Sequence, residues 1–206
     1  MPDNLAAHLR LMLVTDDRLV AGRDLIGLAR AAVRGGVTAV QLRLKEASSR
    51  ELLALAQALC AELPVPVLVN DRPDVALLAG VGVHLGPEDV PVGLARRVLG
   101  GTAIIGASVG TAAELERGAG ADYWGIGPWR TTGTKGDAGD AIGLEGFRAV
   151  LLRAEGRPCI AIGGIQPEDI PLVLRTGGAG VAVVSGILGV EDVEGAARRY
   201  AGQFLG

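Results

Sequence analysis

Three residues two apart, Gln41, Arg43 and Lys45, lie in the run QLRLK. In an extended chain such residues share a face, so one amide and two cations would project together. Arg and Lys are seldom buried without an anion, which suits an anionic ligand. A polar layer closing a barrel, or a solvated face, is the alternative. Asp71 follows Asn70 at the end of a second apolar run, and Asp89 closes the segment HLGPED. If these runs are neighbouring strands, the two carboxylates meet, and they repel unless a proton or a cation lies between them. Magnesium, a hard ion that takes oxygen ligands and is commonly shared with phosphate, would resolve the repulsion. For Asp89 a helix cap is the competing reading, because Pro91 follows closely.

Further along, Ser108 ends another apolar run, Gly163-Gly164-Ile165 precedes Pro167, and Val184-Ser185-Gly186 ends the last run. Glycine turns beside a helix start present backbone N–H groups and a favourable dipole to an anion, and Gly164 and Ser185 are candidates for that duty. Tight turn geometry alone would also explain the glycines. Between these groups lies GPWRTTGTKGDAGDAIG, Gly127 to Gly143, which has neither helical period nor strand alternation. It offers threonine hydroxyls, Lys135 and many glycines. A lid over phosphorylated reactants, loose when empty and ordered at residues 129–140 when ligands bind, would need such a loop; a surface excursion is the other reading.

The elements that must carry these residues form one repeating unit. Eight short runs rich in Val and Ile recur: LRLMLVTD, TAVQLRLK, VPVLVND, GVHLG, AIIGASV, YWGIGP, CIAIGG and GVAVVS. Segments of helical spacing follow them, with starts expected near Asp24, Ser48, Pro73, Pro91, Thr111, Leu144, Pro167 and Val193. Strands alternating with helices imply a parallel sheet, and strands apolar throughout imply burial on both faces. Eight such units in 206 residues fit an α/β fold, a single-domain (β/α)₈ TIM barrel over residues 1–206. An open doubly wound sheet is the alternative, weakened because no GxGxxG follows the first strand. In such a barrel the chemistry belongs at the C-terminal strand ends, where the polar residues above fall.

Composition narrows the partners. The net charge of −3 gives no reason to expect nucleic acid or an anionic membrane. No run approaches the roughly 18 apolar residues of a membrane span, and the opening MPDNLAAHLR does not resemble a secretion signal, so the cytoplasm is the expected location. Only His8 and His84 are histidines, which disfavours a His-based zinc site or a Ser-His-Asp triad. Cys60 and Cys159 read as two buried, reduced thiols rather than a disulfide or metal pair. Small phosphorylated molecules are the expected partners, and a homo-oligomer is compatible with the chain.

Taken in order, QLRLK, VNDRPDVA, GVHLGPED, GAS, TTGTKGDA, AIGGI and GVAVVSGI resemble the thiamine phosphate synthase family, from about Leu11 to about Ile187. The resemblance implies a (β/α)₈ barrel and a magnesium-dependent transferase. Such an enzyme joins a hydroxymethylpyrimidine diphosphate to a thiazole phosphate, carboxylated or not, and releases pyrophosphate. It implies that Gln41, Arg43, Lys45, Asn70, Ser108 and Lys135 bind the pyrimidine diphosphate, with Lys135, Arg43 and Ser108 closest to the chemistry. It further implies that Asp71 and Asp89 hold Mg²⁺, and that Thr132, Thr134, Gly164, Val184 and Ser185 bind the thiazole phosphate.

The chain departs from the family's pattern at Trp129-Arg130-Thr131, at Pro87 and at Gly110, where a histidine is usual. These departures bear on the thiazole side. A related thiazole tautomerase relies on the histidine that Gly110 replaces and tends to lack the acid pair, so both differences favour the synthase. A barrel that only senses a phosphorylated metabolite would need the glycines but not the acids with Arg43 and Lys135.

Overall fold

The computed structural model describes residues 4–131 and 140–204. Its strands are β1 Leu11–Val14, β2 Ala39–Leu42, β3 Val67–Asn70, β4 Gly82–Leu85, β5 Ile105–Val109, β6 Tyr123–Ile126, β7 Cys159–Ile162 and β8 Gly180–Val183. They pair in parallel in sequence order, and β1 also pairs with β8, which closes the barrel. The helices are α1 Leu5–His8, α2 Asp17–Val20, α3 Leu25–Arg34, α4 Ser49–Glu62, α5 Pro73–Ala79, α6 Val92–Leu99, α7 Ala112–Arg117, α8 Gly143–Leu151, α9 Ile170–Arg175, α10 Ser185–Leu188 and α11 Val193–Gly202. A 3₁₀ turn, Pro167–Asp169, leads into α9. No helix among the described residues is long and apolar enough to cross a membrane.

Local chemistry sets the helix starts where the sequence suggests them. Ser48 and Glu51 form a reciprocal capping box at α4, as do Thr111 and Glu114 at α7. Pro73 occupies the first turn of α5, which Gly80 closes in the left-handed conformation at φ 68°. The short helices α1, α2 and α10 carry too few residues to show a period, and sequence reading passes over them.

The strands divide two cores between them, because alternate residues face opposite sides. Leu11, Leu13, Val40, Leu42, Val67 and Val69 join the outer core beneath the helices. Met12, Val14, Ala39, Leu68, Tyr123, Ile160 and Ala182 form an inner core, which Leu5 and Leu9 complete from the side of α1. Tyr123 fills the barrel interior because the neighbouring strand offers Gly106: a Cβ there would overlap the phenol ring.

The inner row nearer the strand C-termini changes character. Continuing the same alternation, it consists of Val14 on β1, Gln41, Asn70, His84 and Ser108 on β2 to β5, and Gly125, Ile162 and Val184 beyond. Half of the barrel mouth is therefore polar.

One expectation about the thiols fails. Cys159 is buried, but Cys60 is exposed. The buried stripe of α4 is Leu52, Ala56 and Leu59, and a 3.6-residue period turns Cys60 roughly 80° away from Leu52.

Candidate active site

The last inward residues of the neighbouring strands β2 and β3 bond to each other, Gln41 Nε2 donating to Asn70 Oδ1 at 2.6 Å. The amide of Gln41 is thereby oriented although only 3% of the residue is exposed. Past β2 the chain is tied to the end of β1. Arg43 N donates to Thr15 Oγ1 at 2.8 Å, and that hydroxyl donates back to Arg43 O at 3.1 Å. Both oxygens of Asp17 take backbone N–H groups, from Lys45 at 2.9 Å and Glu46 at 3.1 Å. The Arg43 guanidinium lies 3.5 Å from Asp16, with both side chains nearly withdrawn from water. The anion expected beside Arg43 is thus partly an internal one, and Asp16 keeps the cation in place before any ligand arrives.

On β4, His84 faces inward in register with Asn70. Its Nδ1 lies 2.8 Å from the Tyr123 hydroxyl and its Nε2 lies 3.0 Å from Ser108 Oγ. Burial pushes the Tyr123 phenol far above its ordinary range, so it stays protonated. Sequence reading named Ser108 but gave His84 and Tyr123 no role. Counting in twos along β4 from its pairing with β3 would have found His84.

Asp71 sits just past β3 in the left-handed region, φ 65°, with its N–H donated to His84 O at 2.8 Å. Such a conformation in a non-glycine residue is costly and is often kept for function. Asp89 lies four residues beyond β4, and its Oδ2 accepts Gly86 N–H at 2.6 Å. It caps its own turn and not α6, whose N-cap, Pro91, has no side-chain bond. The helix-cap reading of Asp89 is therefore replaced by a turn-cap. Among the described residues no group of three or more His, Cys, Asp or Glu gathers as a metal site. Two acids fit a hard cation only if the remaining oxygens come from a ligand such as a diphosphate or from water.

Across the mouth, Gly163 and Gly164 take φ 97° and 67°. A Cβ on Gly163 would lie 2.8 Å from Pro128, and one on Gly164 would lie 3.0 Å from Arg130 Cβ. Only glycine meets both demands. The loops after β6 and β7 run together there, Trp129 N donating to Ile162 O at 2.8 Å and Arg130 N to Gly163 O at 2.9 Å. Ser185 opens α10 directly after Val184, so its N–H is among the helix donors that lack a helical acceptor.

These groups share one cavity of ≈ 390 Å³, within the ~300–1,000 Å³ usual for small-ligand sites. Gln41, Arg43, Lys45, Asn70, Asp71, Asp89 and Ser108 line one side of it, and Gly164, Val184 and Ser185 the other. Cations, acids, an oriented amide and a glycine turn beside a helix start therefore face a common space. Thr132, Thr134 and Lys135 lie outside the described residues. At Gly110, an added Cβ would stand 2.7 Å from the Gly127 carbonyl oxygen, so this backbone has no room for a histidine without moving. Pro87 lines the same cavity, and its carbonyl accepts from Arg117 at 2.8 Å.

The sequence matches the thiamine monophosphate synthase family over residues 11–187. It is 48% identical over 195 residues to the thiamine-phosphate synthase of Syntrophomonas wolfei, covering 92% of this chain and 93% of that protein. It is 50% identical over 196 residues to the thiamine-phosphate synthase of Xanthobacter autotrophicus, with 92% of each covered. The fold superposes on thiamine phosphate pyrophosphorylase from Pyrococcus furiosus with a TM-score of 0.83, at 37% identity and 97% coverage of both chains. Similarity to 3-hexulose-6-phosphate synthase, TM-score 0.67 at 17% identity, extends to the barrel alone.

Proposed function

Membership of the thiamine monophosphate synthase family, to which this chain belongs, is the premise from which we propose its reaction. It joins a hydroxymethylpyrimidine diphosphate to a thiazole phosphate, forming thiamine phosphate and releasing pyrophosphate. The observation that carries this reading is the shared cavity, with cations and an acid pair on one side and a glycine anion cradle on the other. Two phosphorylated reactants need two such places facing each other.

The bond to be broken joins an exocyclic CH₂ to the diphosphate on an electron-rich aminopyrimidine. That ring delocalises positive charge, so departure of the diphosphate precedes capture of the carbon by the thiazole nitrogen. The protein's task is to hold both rings in line, stabilise the leaving group and keep water out. Gln41 and Asn70, already bonded to each other, present polar edges to the pyrimidine. Arg43, held by Asp16, and Lys45 and Lys135 receive the leaving diphosphate. Asp71 and Asp89 would hold Mg²⁺, which supplies further neutralisation of the diphosphate. Gly164, Val184 and Ser185, with Thr132 and Thr134, hold the thiazole phosphate.

Ser108 takes its direction from the pair behind it. The neutral Tyr123 phenol has one proton, and an imidazole nitrogen is a far better acceptor than the Met12 thioether, 3.9 Å away. With Tyr123 donating to Nδ1, His84 carries its proton on Nε2 and donates to Ser108. The Ser108 hydroxyl hydrogen is then free for the pyrimidine or the departing oxygen. No step needs histidine as an acid or base.

The same reading makes the protein a cytoplasmic enzyme of small phosphorylated metabolites, acting as one domain over residues 1–206. The deciding experiment incubates the purified protein with both substrates and Mg²⁺ and follows thiamine phosphate by mass. Absence of product with both substrates present would overturn the reading. Product formation that persists in excess chelator would remove Mg²⁺ from it.

A further inference from the structure

A single guanidinium fastens the loop after β6 to the loop after β7. Arg130 Nη2 donates to Asp169 Oδ1 at 2.7 Å, Nη1 donates to Asp169 Oδ2, and Nη1 also reaches Gly164 O at 3.1 Å. Asp169 Oδ2 in turn accepts Gln166 N–H at 2.7 Å, and the Trp129 side chain bonds the same carboxylate. Arg130 thus grips the turn at both ends, through a carbonyl at Gly164 and through the carboxylate that holds Gln166. Gly163, Gly164, Ile165 and Gln166 all line the cavity, whereas Arg130 is not among its lining residues.

Two features make this more than a surface ion pair. The Asp169 side chain is 3% exposed against 46% for Arg130. Removing the cation would leave a carboxylate nearly out of water with only N–H partners. That uncompensated charge would also lie directly behind a cradle meant for an anion. Moreover, two consecutive glycines at positive φ have no conformation of their own to prefer. The shape of the turn must come from what holds it, and a planar fork meeting two carboxylate oxygens and a carbonyl fixes it in three places.

We infer that Arg130 is a positioning residue for the acceptor phosphate: by gripping Asp169 and Gly164 O it holds the Gly163–Gln166 turn in its anion-binding shape and cancels the charge behind it. The inference rests on the proposed reaction for the identity of the anion, a phosphate monoester carried by the acceptor.

The test is steady-state kinetics on wild type, Arg130→Ala, Arg130→Lys, Asp169→Asn and the Arg130→Ala/Asp169→Asn double variant, with inorganic phosphate as a competitive probe. Loss of a charged hydrogen-bonding group predicts that Arg130→Ala raises KM for the thiazole phosphate about tenfold or more. KM for the pyrimidine diphosphate should stay within about twofold, and kcat at saturating acceptor within about threefold, because the grip touches neither the other substrate nor the reacting atoms. Inhibition by inorganic phosphate should weaken in parallel. Arg130→Lys should recover only part of the loss, since one ammonium cannot span all three oxygens. The double variant should be no worse than Arg130→Ala alone and should recover part of the acceptor affinity, because Asp169→Asn removes the carboxylate charge left uncompensated behind the cradle.

An unchanged acceptor KM in folded Arg130→Ala overturns the inference, as does an equal rise in both KM values. If that variant does not fold, Arg130→Lys decides in its place, and wild-type KM values there count against the fork. Should the wild type make no thiamine phosphate, the proposed reaction fails by itself. Inorganic phosphate binding, measured calorimetrically on wild type and Arg130→Lys, then judges the grip alone: weaker binding in the variant supports it and equal binding refutes it.

Discussion

At the scale of single residues, charge at the leaving group and access to thiols make separate predictions. If Lys135 receives the departing diphosphate, Lys135→Ala should lower kcat by about 100-fold, the equivalent of roughly 3 kcal/mol of preorganised stabilisation. Thiazole phosphate affinity should change little. Turnover within about threefold of wild type would remove Lys135 from the chemistry. The two cysteines differ by environment. Burial raises the Cys159 thiol to about 12, so at neutral pH it offers almost no thiolate. Cys60 is exposed. A thiol reagent should therefore label one cysteine in the native protein and two after denaturation, with Cys60→Ala abolishing the native reaction. Two equivalents reacting in the native state would contradict the burial of Cys159.

At the scale of elements, the strand ends and the turns after them trade stability for chemistry. Asp71 holds φ 65° immediately past β3. Asp71→Gly relieves that conformation and should leave thermal stability equal or higher, by up to about 1 kcal/mol, while activity and its dependence on Mg²⁺ fall away. Asp89→Asn should also lose magnesium dependence, and the two changes together should be little worse than one, because one ion is lost in each case. A variant less stable than wild type by calorimetry would show that Asp71 serves the fold. The turn before α9 gives a pH prediction. Burial alone would raise the Asp169 carboxyl, but the hydrogen bonds from Arg130 and Gln166 outweigh it and hold the group below its ordinary range. A carboxyl depressed on folding contributes stability above its unfolded pKa and loses it as pH falls through the folded one. The melting temperature of the wild type should therefore drop more steeply between about pH 5 and about pH 2 than that of Asp169→Asn. Parallel curves would deny the carboxylate this role.

At the scale of the whole molecule, the barrel is two nested cores that meet only through the strands, and the inner one leaves no slack. Tyr123 crosses it against Gly106, and its hydroxyl supports His84. Gly106→Ala would force the ring aside, at a cost of about 1–3 kcal/mol in stability. Because Tyr123 orients His84 and through it Ser108, the same change should lower activity beyond what the loss of folded protein explains. Pairing it with Tyr123→Leu should return part of the stability and none of the activity. A Gly106→Ala variant with wild-type melting and turnover would show that the interior is looser than this packing implies.

All eight strands and most of the helix starts are legible in the amino-acid order, and the reason is local. Parallel strands buried on both faces must be apolar throughout, Ser48 and Thr111 announce helices through bonds to residues three away, and Pro73 does so through a backbone angle already set for the first turn. The apolar runs read longer than the strands prove to be, as LRLMLVTD does against Leu11–Val14. The overrun is informative, because Asp16, Arg43, Lys45 and Asp71 stand in it or just past it, where the ladder has ended and side chains turn to the mouth. The pairings are what only the tertiary sheet decides. Asp16 meets Arg43, His84 meets Tyr123 and Ser108, and Arg130 meets Asp169, each across 24 to 39 residues of chain. Period and capping reach only neighbours within a turn or two. Which loop lies beside which is set by the parallel strand order, and closing β1 onto β8 curls that sheet so that the polar residues at its strand ends face one site.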